Sequence, residues 1–143
     1  MLAQVQEMLY IEKGGDKQLK DELSAYNPLI PDGKELIATL MFEIDNPVSR
    51  AAFLSKVGGI ENNVFMMIDG EKVKAFSEED VDRTSSEGKA SSVQFIHFKF
   101  SELQIKKFKL CSHNIEIGID HKEYFHTTKL SNITMKSLSA DFN

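Results

Sequence analysis

The sequence predicts an α+β protein: a mostly antiparallel sheet with helices at the N-terminus, at the C-terminus and between strands. Two observations carry this. Several short segments alternate apolar and polar residues with the period of two that a half-buried strand needs, and short turns separate them. Segments with three- and four-residue apolar spacing fall at the two chain ends, with further helical stretches inserted between strands.

In chain order, Leu2, Val5, Met8 and Leu9 form the apolar stripe of a first helix that ends near Glu12, a stripe that needs a partner to cover it. Gly14 and Gly15 interrupt it. Asp16 is suited to cap a second helix reaching Tyr26, with Leu19 and Leu23 expected inward. Pro28, Pro31 and the Pro31-Asp32-Gly33 turn chemistry stop it. From Glu35 to Asp45 the period becomes two, with Leu36, Ala38, Leu40, Phe42 and Ile44 on one face. A helix follows, with Asn46 as cap, Pro47 at its first position and Gly58 or Gly59 at its stop. "NVFMMIDGEKVKAF" reads as two strands joined at Asp69-Gly70. "SEEDVDR" starts as a capping box and predicts a short helical turn, and the polar "TSSEGKASS" after it reads as a surface loop or a lid. A strand at Val93–Phe100 precedes a helix capped by Ser101. "NIEIGIDH" and "YFHTTKLS" read as a strand pair across Lys122-Glu123, and "NITMKSLSADF" as a closing helix.

At 143 residues the chain is expected to form a single domain, 1–143, with the composition of an ordinary globular protein. Its net charge of -5 argues against nucleic-acid binding, which needs a concentrated basic surface. Lys106, Lys107 and Lys109 read as a solvated helix face. One cysteine, Cys111, excludes an intramolecular disulfide and a CxxC motif. No apolar run approaches the roughly 20 residues that span a bilayer, and no signal peptide is legible, so a cytoplasmic location is expected.

Chemistry-bearing residues are sparse. The fingerprints of P-loops, dinucleotide folds, nucleophile elbows and zinc proteases are absent. The acidic run Glu78, Glu79, Asp80 and Asp82 lacks a calcium-loop pattern. Cys111 and His113 lie two apart with no orienting acid nearby. His97 falls on the more amphipathic face of its strand, beside Lys99, and is expected to be exposed or half-exposed. The densest cluster is "GIDHKEYFH". There His121 continues the Ile115, Ile117, Ile119 face to the lip of the core, Asp120 points the other way, and Tyr124 and His126 return on the next strand. Such a set can hold a divalent metal through His121 and His126, or orient a base; a satisfied polar cluster at a strand end is the simpler account.

Taken together, "VQEMLYIEK", "ELSAYNPLIPDG", "EEDVDR", "KASSVQFIHFKF" and "IGIDHKEY" resemble, over nearly the whole chain, a bacterial family described only as domain of unknown function 3501. The family name carries no activity. The resemblance implies a further N-terminal stretch ahead of "VQEML" that this chain is expected to lack. It also implies partners, an iron-sulfur protein and a rubrerythrin-like protein, and with them a role near peroxide or electron-transfer chemistry. Asp120, His121 and Tyr124 match the family motif, although Lys122 stands where proline is usual, and Arg83 matches at the end of "EEDVDR". At His97 the family has arginine, and its histidine lies where this chain has Gln94. The leading expectation is a non-catalytic accessory or binding protein linked to an iron-dependent redox or peroxide-response system, with no cofactor identified. One alternative is a metal- or ligand-binding enzyme built on Asp120, His121, Tyr124 and His126, gated by Arg83 and the polar loop. The other is a homodimer in which the first helix is the contact.

Overall fold

The computed structural model describes residues 2–30, 32–77, 88–110 and 114–143, with side chains from Val5 onward. They form two compact units, 1–32 and 33–143. The predicted turn at "SEEDVDR", most of the polar loop, Arg83, Cys111 and His113 lie outside the described residues.

The first unit is helical. Helix α1 (Leu2–Glu12) and helix α2 (Gly15–Tyr26) are followed by a 3-10 turn at Asn27–Leu29. Leu19 and Leu23, expected inward, are 37% and 38% exposed, and the buried residue of α2 is Gln18. Its amide explains the inversion: Gln18 Oε1 accepts from Gly14 N, and Nε2 donates to Met8 O at 3.1 Å and Glu12 Oε2 at 3.2 Å. One side chain thus satisfies backbone groups that helix ends leave open. Asp16 is not the cap; α2 begins one residue earlier, after Gly14.

The second unit is two antiparallel sheets sharing one core. Strands β1 (Glu35–Met41), β4 (Phe76–Ser77) and β5 (Val93–Lys99) form one sheet in the order β1-β5-β4. Strands β2 (Val64–Ile68), β3 (Glu71–Lys74), β6 (Ile115–His121) and β7 (Tyr124–Lys129) form the other in the order β3-β2-β6-β7. The fold is α+β, as the periodicities predict. Register follows burial. Leu36, Ala38 and Leu40 stand opposite Phe98, Ile96 and Gln94 on the inner face of the first sheet. In the second, Val64, Met66 and Ile68 stand opposite Ile119, Ile117 and Ile115. A one-residue slip in either would turn every one of these side chains to the other face.

Helices close the ends. Asn46 Oδ1 accepts from Val48 N and Ser49 N, both at 3.0 Å, at the start of α3 (Pro47–Lys56). Ser101 and Gln104 make the reciprocal capping box of α4 (Glu102–Lys109), and Ser131 caps α5 (Asn132–Ser139). Leu54, Ile105, Phe108, Met135 and Phe142 join the core from these helices and the chain end. The alternation that predicts a strand to Asp45 outlasts the strand itself. After Phe42 N bonds Ser92 O at 2.9 Å, the chain turns toward the cap of α3.

Candidate functional site

The two hairpins of the second sheet turn differently. Between β2 and β3, Asp69 (φ 52°) and Gly70 (φ 81°) both take positive φ, the type I′ geometry whose twist matches the strands. Between β6 and β7, Lys122 and Glu123 have negative φ. That turn has a side-chain brace: Glu123 N donates to His121 Nδ1 at 3.2 Å. A negative φ at Lys122 is also what a proline there would require.

This hairpin places the sequence-predicted residues as follows. His121 is buried on the inner face, continuing the isoleucine row, with its Nδ1 occupied by the turn. Asp120 points outward and pairs with Lys72 at 3.0 Å, an exposed ion pair. Tyr124 stands opposite His121, and His126 opposite Ile119. The Tyr124 and His126 rings lie 4.7 Å apart, centre to centre. Behind them, Tyr124 packs edge-on to Phe42 at 5.9 Å and Phe53 at 5.8 Å. So Tyr124 and His126 are brought together, while Asp120 is on the opposite face. Among the described residues no group of three or more His, Cys, Asp or Glu is placed to hold a metal ion.

Tyr124 and His126 face a cavity of about 450 Å³ between the sheets. Its inner wall is apolar: Val64, Ile96, Ile117 and Ile119, with Ala38 and Leu40 from β1. Among the described lining residues the polar side chains on the inner face are Tyr124, His126 and Thr128, with Thr39 and Thr127 at the alternate positions whose side chains face away. None of the described lining residues is a carboxylate, lysine or arginine. Gly118 contributes backbone, and only glycine fits there. A Cβ would lie 2.7 Å from Phe65 Cζ, 2.7 Å from Thr127 Oγ1 and 3.0 Å from the His126 carbonyl oxygen. Phe65, directly opposite on β2, fills the space that the missing side chain leaves.

His97 is elsewhere and is not exposed. It is 6% exposed, with Nδ1 3.3 Å from Glu35 Oε2. Its ring stacks on Phe76 of β4 at 5.2 Å, and Lys99 Nζ lies 4.6 Å from the centre of the same Phe76 ring. The two-residue strand β4 is what covers it, and no periodicity announces so short a strand.

A family model described as a protein of unknown function (DUF3501) matches residues 1–142. The chain belongs to the DUF3501 family. No curated protein matches it. A crystal structure of a protein of unknown function from Burkholderia pseudomallei K96243 is similar to it, with 37% identity and a TM-score of 0.86. The alignment covers 98% of this chain and 73% of that one. For this DUF3501 chain, Tyr124 and His126 were singled out in the sequence, whereas the cavity residues of β1 and the threonines of β7 were not legible as part of a site. Threonines on alternating strands read as ordinary strand formers. Gln94 carried a usable signal, because its parity groups it with Ile96 and Phe98. It is fully buried, its Nε2 donates to Ser91 O at 3.0 Å, and its Oε1 has no partner among the described residues.

Proposed function

We propose that this protein is a non-catalytic binding protein for a small, mostly apolar, uncharged ligand held between its two sheets. The observation that carries this is the cavity of about 450 Å³ with an apolar wall and a few polar tips. That volume lies within the range of small-molecule sites, where apolar walls supply affinity and a few polar groups fix orientation. An ionised ligand group would find no fixed opposite charge among the described lining residues, whereas a hydroxyl or carbonyl can bond with Tyr124, His126 or Thr128. Of the candidate residues, Tyr124 and His126 therefore carry the site. The iron-sulfur or rubrerythrin-like partner enters as part of the same proposal, as the protein beside which the bound molecule is used. Native co-purification checks that link.

The test is calorimetric titration with 1-octanol, octanoate and 1-naphthol on the wild type, Ile117→Phe and Tyr124→Phe. Binding of the two uncharged probes is expected, with octanoate at least tenfold weaker, a difference of about 1.4 kcal/mol. Ile117→Phe fills the cavity and should abolish binding while leaving the fold intact by circular dichroism. Equal binding to wild type and Ile117→Phe, or no binding of either uncharged probe, would sink the proposal.

A further inference from the structure

Strand β7 ends its sheet, and its outer edge is unpaired by any described strand. The bond from Leu130 N to Ile115 O fixes which residues face β6: the even positions, because antiparallel pairs alternate in hydrogen bonding. Phe125, Thr127 and Lys129 consequently direct their N–H and C=O groups away from the sheet. Everything from Phe125 to Lys129 is exposed, and the strand has no proline, glycine or bulge to blunt its edge. Edge strand β1 differs, since Leu36 is buried, Ile37, Ala38 and Leu40 are half-buried, and Glu35 lies against His97.

We propose that β7 pairs with β7 of a second copy of this chain, antiparallel, about a two-fold axis at Thr127. The inference is independent of the ligand reading. Only with Thr127 opposite Thr127 do all three outward-facing residues of both strands find partners, giving roughly six backbone hydrogen bonds. The same register is complementary in its side chains. Phe125, 66% exposed, faces the partner's Lys129, and His126 faces the partner's Thr128. A lysine over a ring on a neighbouring strand is an arrangement this fold already makes twice, with Lys72 Nζ 4.3 Å from the Phe65 ring centre and Lys99 Nζ 4.6 Å from that of Phe76. Charge agrees as well. Asp120 stands beside Phe125 on β6, so the partner's Lys129 arrives in the same cross-strand row, about 10 Å of backbone from a carboxylate that also pairs with Lys72. The product is one continuous sheet running through both copies, an isologous contact that closes at two.

Light scattering on size-separated full-length protein over a concentration series tests it. The wild type should rise toward twice the chain mass of 16.2 kDa, and amide exchange at Phe125, Thr127 and Lys129 should slow as the mass rises. Phe125→Lys sets lysine against lysine and should weaken association at least tenfold, while the double variant Phe125→Lys, Lys129→Glu should restore it. A wild type that stays at the chain mass throughout overturns the proposal. So does a dimer indifferent to Phe125→Lys, which would place the contact on another surface such as α1.

Discussion

Two aromatic clusters lie in the second unit, and they are built differently. At one, Phe100, Phe108 and Phe142 meet edge to face with centres 5.2–6.1 Å apart, and all three are buried. At the other, Phe42, Phe53 and Tyr124 meet at similar distances, 5.1–5.9 Å, but all three are only half-buried. The second cluster adds a hydroxyl and, through His126, an imidazole, and it borders a cavity. Similar ring geometry thus serves two ends. A cluster whose rings are all apolar and covered is core, whereas one that terminates in polar tips beside unfilled space is a wall.

The comparison can be broken by substitution. Phe108→Ala should have the largest effect, about 3–5 kcal/mol lost in denaturant unfolding, because it empties a fully buried ring site. Gly118→Val comes next, at about 1–3 kcal/mol, since its side chain must displace Phe65 or strain against the His126 carbonyl. Phe53→Ala should cost only about 1–2 kcal/mol, the ring being partly solvated already, yet weaken probe binding through the loosened Tyr124. If Phe53→Ala proves as costly as Phe108→Ala, the distinction between wall and core fails. Smallest is Lys122→Pro, which should stabilise by about 0.4–1 kcal/mol by restricting the unfolded chain at a φ already negative. A loss of stability there would mean that the Lys122 N–H or the His121 brace matters more than the turn's backbone.

Much of the fold was legible because the second unit obeys local rules consistently. Asn46-Pro47, Ser101 and Asp69-Gly70 each state a cap or a turn in one or two residues, and the structure uses each one so, with Gln104 completing a box at Ser101 where a single cap was expected. The readings that failed depend on contacts distant in sequence or on unusual local bonding. His97 is covered by Phe76, some twenty residues earlier, on a strand too short to show a period. Leu19 and Leu23 lost their inward positions to Gln18, whose amide holds the α1–α2 junction. The site was half legible. The parity of "IGIDH" placed His121 inward and Asp120 outward correctly, while the cavity depends on how β1 faces β7, which no single segment encodes.

The cavity has walls in two separate sheets, and this affects rates as well as affinity. Among the described residues no ladder hydrogen bond joins β1 to β7 across it. Drawing the walls apart therefore sacrifices dispersion contacts of about 0.1–0.2 kcal/mol per atom pair and leaves both sheets' backbone bonding intact. A guest can enter and leave by a small parting of the sheets rather than by local unfolding, so residence times should be set by the guest's own buried surface, with little added by the protein's reluctance to open.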